Sequence, residues 1–428
     1  MPSGPPEKSE YFVLRSERPA GAQTPSVAAT ILPHAALFRR LEGFGLGATR
    51  QVLTANAVAA THDEAKTLRD DPSNKVVAER LSVALVKPLR APPGPDGADP
   101  GAAALAEAKA NRCAWGVAAV GATNSPYDGA GVTVALLDTG VDRSHPAFQG
   151  VTFTVKNFTG RGADDDVTDE SGHGTHCAGV IFGREHDGVR IGVAPGVTNA
   201  LVAKVLDKDG QGSTIGVLNA LHWAFLNGAN IVSMSLGFNY AGRVEELMQE
   251  GKPADYAVAR TLQAYRENMK AFEQVIAMLG QQGAGVPGAL VIAAAGNDSH
   301  RDRNPEYVID VAMPAATLDV LSVGAVRRQG GKFAVADFSN INPVVCAPGF
   351  DIVSAGRNND LAAMSGTSMA CPHVAGVAAL WWQRALKVNR VARADTVRSM
   401  LRGQLKILEE LDFVDRGEGL AQAPLGAG

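Results

Sequence analysis

The sequence predicts an α/β protein: a large domain on a mostly parallel central sheet, preceded by a small α+β module. Three observations carry that prediction. From about Gly131 onward, apolar strand-like runs alternate with helical patterns, the arrangement of a parallel sheet covered by helices on both faces. Residues 11–90 hold short strand-like runs around one helical pattern, with a β-α-β flavour. Between the two, the run from Ala91 to Pro100 is so rich in proline and glycine that it continues neither helix nor strand. The expected boundaries are 1–90 for the first module, 91–112 for a Pro/Gly/Ala-rich linker open to proteolysis, and 113–428 for the large domain.

Each element has its own signal. In the first module Tyr11–Leu14, Gln51–Thr54 and Val83–Val86 read as strands and His62–Arg69 as a helix. In the large domain Val132–Leu137, Ala200–Val205, Ile231–Ser235 and Leu290–Ala294 are apolar runs of the kind that strands buried on both faces require. Ile215–Leu226 has helical spacing and stops at Asn227-Gly228. Residues 239–285 carry a long helix former, Asp255–Leu279, with apolar residues at helical spacing. In open α/β sheets ligands gather beyond the carboxyl ends of the strands, so the site is sought there.

Composition excludes more than it assigns. A net charge of −4 offers no electrostatic case for nucleic acid or for an anionic membrane surface. The polar, proline-rich start Met1–Glu10 lacks the basic and apolar segments of a secretory signal, and no run of about 18 apolar residues spans a membrane. A soluble, cytoplasmic, monomeric protein is expected. The four cysteines, Cys113, Cys177, Cys346 and Cys371, lie far apart in small or apolar runs, which fits buried free thiols and neither a disulfide framework nor a close-spaced metal site.

Chemistry concentrates in three stretches. Ser368 stands in Gly366-Thr-Ser-Met-Ala-Cys-Pro-His373, just ahead of the apolar run to Trp382, where a helix N-terminus can stabilise developing negative charge. A serine there serves equally well as a helix cap, so a nucleophile needs partners elsewhere. Asp138 follows directly on the strand that ends at Leu137, and His173 sits between glycines in Ser171-Gly-His-Gly-Thr-His176. A serine nucleophile needs a base to take its proton, and the base needs a carboxylate to fix its tautomer; Asp138, His173 and Ser368 supply those roles.

Asp-Thr-Gly at 138–140, His-Gly-Thr-His at 173–176 and Gly-Thr-Ser-Met-Ala-Cys-Pro-His at 366–373, in that order, resemble the signatures of the subtilisin-like serine peptidases over roughly residues 113–424. The His-Gly-Thr-His-Cys variant looks most like the proteinase K branch. The resemblance implies a three-layer subtilisin-like domain and a serine endopeptidase acting on protein or peptide. It gives Asn297 the side-chain donor of the oxyanion hole. Gly210, Gln211 and Gly212 with Ser235, Leu236 and Gly237 become the two segments that clamp an extended substrate, where glycine lets backbones approach. Ala294 and Gly296 join the substrate-binding set, and Met313–Thr317 continues the pocket wall. His176 and His373 are given packing roles, and Cys177 a buried place behind His173.

The N-terminal residues resemble the ferredoxin-like pro-domain of these enzymes, best over Glu64–Glu79. The implied role is an intramolecular inhibitor whose last segment fills the cleft, in a self-processing zymogen cut between about Leu89 and Ala114, since Ala114–Val117 matches the start of a mature domain. A non-catalytic or permanently inhibited peptide-binding protein of the same fold is the alternative. No cofactor is required. Structural calcium at Phe182–Arg190 lacks support, because two arginines and a histidine are poor company for a hard dication. The acidic run Asp164–Glu170 reads as a solvated loop or as a lure for basic substrate side chains. The 239–285 insertion is expected to rim the cleft or to lengthen a surface helix, and Arg416–Ala423 resembles the family's closing Gly-x-Gly turn and short helix.

Overall fold

A computed structural model of the chain describes residues 8–17, 52–88, 100–280 and 287–426. The N-terminal module is built from β1 (Ser9–Glu17), β2 (Val52–Ala60), α1 (His62–Asp70) and β3 (Asn74–Glu79), with the strands antiparallel in the order β2-β1-β3. Thr61 and Glu64 start α1 as a reciprocal capping box: each accepts a hydrogen bond from the other's backbone N–H. Strand alternation divides the module into two faces. Tyr11 and Val13 pack with Ala65 and Val77, while Phe12 and Leu14 enter the core of the large domain.

The run expected as a strand near Val83 does form one, β4 (Ser82–Leu85), but it leaves the module's sheet. Periodicity identifies a strand without naming its partner, and here the partners lie in the large domain. The linker expectation is also corrected. Its first part, 91–99, lies outside the described residues, whereas its second part is α2 (Pro100–Asn111). Alanine is the strongest helix former and proline suits the first helical position, so composition that looked like a linker supports a helix.

After the short α3 (Trp115–Ala119) comes the central sheet. Its strands are β5 (Thr133–Asp138), β6 (Thr152–Asn157), β7 (Asn199–Lys204), β9 (Ile231–Met234), β11 (Leu290–Ala294), β12 (Leu321–Gln329), β13 (Lys332–Val335) and β14 (Val345–Pro348). The order is β13-β12-β11-β9-β5-β7-β6, with β14 also on β12; only β13 runs antiparallel. Two helices cover one face, α4 (His173–Phe182) and, later in the chain, α8 (Thr367–Asn389). The other face carries α5 (Thr214–Leu226), which follows β8 (Gln211–Ser213), and the insertion. The insertion leaves β10 (Leu236–Phe238) as α6 (Tyr240–Gln249) and α7 (Ala254–Gly280). Alternate residues of β5 explain its unbroken apolar run: Val134 and Leu136 face α4 and α8, while Ala135 and Leu137 join the cluster with Leu221 and Phe272.

A hairpin, β15 (Ile352–Ala355) with β16 (Leu361–Met364), precedes α8, and α9 (Ala394–Arg402) follows it. The expected closing turn is present at Gly417 and Gly419, both at positive φ. Its short helix, however, precedes the turn as α10 (Phe413–Arg416), because Leu420 pairs with Cys346 and Lys406 instead of continuing a helix. None of the described helices is long and apolar enough to cross a membrane.

Candidate active site

Three elements converge beyond the carboxyl edge of the sheet: the end of β5, the N-terminus of α4 and the N-terminus of α8. Asp138 is the last residue of β5 and His173 the first of α4. His173 Nδ1 lies 2.7 Å from Asp138 Oδ1, which also accepts the Thr139 N–H at 2.7 Å; both side chains are buried. An Nδ1–H donated to Asp138 leaves the lone pair of Nε2 for proton transfer.

Asp169 fastens α4 beside β5, and sequence reasoning sees it only as part of an acidic run. Its Oδ1 accepts from Thr139 Oγ1 at 2.8 Å and Gly172 N at 2.9 Å, and its Oδ2 from the N–H and hydroxyl of Thr175 at 2.8 and 2.6 Å. A buried carboxylate at a helix N-terminus satisfies orphan donors and matches the dipole. Asp164, Asp165 and Asp166 are exposed, so the run splits into one brace and a solvated loop. Lys204, buried at the end of β7, adds a tie by donating to the carbonyls of Thr139 and Thr168.

Ser368 sits in the first turn of α8, fully buried. Pro372, four residues on, has no N–H, so the Ser368 carbonyl lacks its helical donor. Ser235 Oγ at 3.2 Å and Cys177 Sγ at 3.4 Å supply the donors instead. Cys177 thus lies beneath the site, 3.8 Å from His173 Nδ1, and burial, with the nearby Asp138 charge, pushes its thiol well above the usual range. Asp138, His173 and Cys177 also bring ligand atoms within 4.8 Å of one another. Asp138 and His173 already meet in a hydrogen bond there, and a thiol held protonated is a poor ligand.

Asn297 is aimed by α8. Its Oδ1 accepts from Thr367 N at 2.9 Å and Thr367 Oγ1 at 2.8 Å, which turns Nδ2 into the cleft. A second residue missed in the sequence, the buried Asn340, holds the surrounding loop. Its Nδ2 donates to the carbonyls of Ala295 and Asp310, and its Oδ1 accepts from the N–H groups of Asp298 and Ser299.

The cleft is filled by the chain itself. β4 runs antiparallel between β8 and β10, with Val83 opposite Gly212 and Phe238, and Ala84 opposite Gln211 and Gly237. Leu85 N donates to Gly210 O at 2.7 Å and Val86 N to Ser235 O at 3.4 Å. Six of the expected substrate residues therefore flank one extended segment. Ala294 is buried at the end of β11, and Gly296 donates to Thr367 Oγ1; neither is bonded to that segment. The Met313 carbonyl accepts the Phe238 N–H at 3.0 Å, which puts Met313 beside β10.

At the end of β4, Ser368 Oγ donates to the Val86 carbonyl at 2.8 Å, and Asn297 Nδ2 donates to the Lys87 carbonyl at 2.9 Å. The residues at the serine thus precede the 89–114 range in which the sequence suggested a cut. No hydrogen bond links Ser368 to His173 among the described residues, since the hydroxyl is engaged by Val86.

The two other histidines of these motifs, His176 and His373, are packing groups. His176 Nε2 donates to the carbonyls of Ile352 and Ala362, and burial lowers its pKa to about 3; His373 Nδ1 donates to Met369 O, and burial lowers it to about 4. In the Phe182–Arg190 loop, Arg184 donates to the carbonyls of Phe182 and Val197, and Arg190 to that of Ala122. Guanidinium groups already hold those oxygens.

Comparison with known proteins gives the chain its family. Residues 129–417 match the profile of the subtilase family, Peptidase_S8. The chain is 34% identical over 257 residues to the major intracellular serine protease of Bacillus subtilis, covering 59% of this chain and 68% of that protein. It is 34% identical over 285 residues to an intracellular serine protease of Paenibacillus polymyxa, covering 65% and 72% respectively. A thermostable alkaline protease of Halalkalibacterium halodurans is 30% identical over 328 residues, 75% of this chain and 70% of that protein. The chain belongs to the subtilase family and is a serine-type endopeptidase.

Proposed function

We propose that Ser368, His173, Asp138 and Asn297 carry out peptide-bond hydrolysis through an acyl-enzyme. Ser368 Oγ attacks the scissile carbonyl carbon while its proton passes to His173 Nε2. Asp138 holds the Nδ1–H and stabilises the imidazolium, and Asn297 Nδ2 donates to the oxyanion. Collapse breaks the C–N bond, and the leaving amine takes the proton from His173. Water then repeats the sequence, giving up a proton to His173 and releasing the carboxyl product with the serine restored.

The observation that carries this reading is the seating of residues 82–87: an extended chain whose carbonyls meet both the Ser368 hydroxyl and the Asn297 amide. The same observation supports the N-terminal module as an intramolecular inhibitor of a self-processing zymogen. The protein works without a cofactor on this reading, and the arginines of the Phe182–Arg190 loop argue against calcium there. The names of two relatives support an intracellular address. A fluorophosphonate probe tests the nucleophile: it should label the wild type and fail on Ser368→Ala. Equal labelling of both would remove Ser368 from the role.

A further inference from the structure

Helices α6 and α7 of the insertion pack against the N-terminal module through a cluster of charge around the buried Glu79 that the chemistry of the cleft does not use. Glu79, the last residue of β3, is 4% exposed. Its Oε1 lies 2.8 Å from Arg243 Nη2 on α6 and its Oε2 lies 2.7 Å from Arg260 Nη2 on α7. Asn268, fully buried on α7, donates to the Glu79 backbone carbonyl at 2.7 Å. The arginines open onto a cavity of about 830 Å³ between module and insertion, lined also by Tyr11, Arg80 and Tyr256.

The chain from Glu79 to Val86 is held to the large domain along its length. Beyond Glu79, the Leu81 carbonyl accepts from Thr214 N at 3.2 Å and the Ser82 carbonyl from Asn239 N at 3.0 Å, after which β4 pairs with β8 and β10. Asn239 is the residue that caps α6, so the insertion begins where backbone pairing with the cleft strand ends. The contacts at Leu81 and Ser82 are made to backbone and are indifferent to side-chain identity. At Glu79 the side chain itself is read.

We propose that Arg243 and Arg260, with the Asn268 amide, form an exosite for a polypeptide that carries a carboxylate side chain seven positions ahead of the residue presented to Ser368. Glu79 fills it in cis, and an acidic residue at that position of a protein substrate fills it in trans; the proposal rests on the peptidase reading above. Two half-buried cations facing one buried anion make the site selective. A neutral or basic side chain there removes the most buried of the carboxylates facing these guanidinium groups, although Arg243 keeps Glu246 at 3.2 Å and Glu250 at 3.8 Å and Arg260 also donates to the Tyr11 hydroxyl at 2.6 Å in the present chain, so exclusion of the wrong side chain adds to specificity.

The test compares two internally quenched peptides with the sequence of residues 76–88, one with Glu and one with Gln at the position of Glu79, on the same full-length protein. The Glu peptide should be cleaved with kcat/KM at least roughly tenfold higher, the difference lying mainly in KM, as expected for one charge-assisted contact. In Arg243→Gln/Arg260→Gln the ratio should fall to about one. Equal kcat/KM values on wild type would overturn the exosite, and because both peptides meet one protein, that outcome does not depend on the double variant folding. A chain that reacts with a fluorophosphonate yet cuts neither peptide also overturns it. A chain that does not react takes the exosite down with the peptidase reading, and the labelling result tells the two failures apart.

Discussion

Asn297 shows how one amide is made useful. Because both donors of Thr367 point at Oδ1, the side chain has only Nδ2 to offer the cleft, and that group meets a backbone carbonyl at 2.9 Å. Asn297→Ala should therefore lower kcat by about 10²–10³, the range known for removing one such donor from a subtilisin, with little change in KM. Steady-state kinetics on a peptide ester decide it: a loss of less than about threefold would mean that Asn297 is a turn residue and not a donor. The residues proposed to meet substrate are legible in the sequence because each stands in a short motif whose neighbours are also constrained. Asp169 and Asn340 are not. Thr139 and Thr175 meet Asp169 only when β5 and α4 are brought together, and Asn340 stands far in sequence from the Ala295 carbonyl it holds. A hydrogen-bond partner fixed by tertiary contact leaves no periodicity to read. His176 shows the converse: two histidines three residues apart invite a metal or a second base, yet burial holds this one neutral and ties its Nε2 to two carbonyls.

At the scale of elements, the loop before β8 is shaped to admit a strand. Gly210 has φ +75°, and a Cβ there would come within 2.8 Å of the Leu85 Cβ. Glycine is needed twice over, for the left-handed backbone and for the close approach. Gly210→Ala should raise KM for peptide substrates several-fold while leaving kcat nearly unchanged, since it strains one rail of the clamp and not the reacting groups. An unchanged KM would show that substrate does not follow the path of β4. Strand β4 also marks where pattern reasoning stops: its apolar run identifies a strand but not its partners, and only the family resemblance points this last segment of the module toward the cleft, where it pairs with β8 and β10. Nothing local distinguishes a strand that pairs with its neighbours from one that crosses to another domain. Helix α2 is hidden for a different reason, because alanine-rich sequence next to a Pro/Gly run looks like spacer until its own Leu105 and Ala108 pack into the core of the large domain and give it a buried side.

For the whole molecule, the two donors that should converge on one carbonyl are divided between neighbours. Attack needs the carbonyl of one residue both at Ser368 Oγ and on Asn297 Nδ2. Instead the serine hydroxyl engages Val86 and the amide engages Lys87. On the proposed reading, residues 82–87 lie along the path of substrate but not in reacting geometry, as expected of a strand that inhibits and is itself cut slowly. The strand pairing sets which bond comes next. With Val86 N on Ser235 O and Ala84 opposite Gly237, a small rotation that brings the Val86 carbonyl onto Asn297 presents the Val86–Lys87 bond. Self-processing should therefore give a large fragment beginning at Lys87, form slowly from full-length protein, and be absent from Ser368→Ala. N-terminal sequencing of the fragment over a time course checks this. A fragment beginning between Leu89 and Ala114 would mean that the observed seating is not the one that leads to the cut. Persistent full-length protein in a preparation that hydrolyses added peptides would make the module a permanent regulatory domain, released from the cleft without being severed.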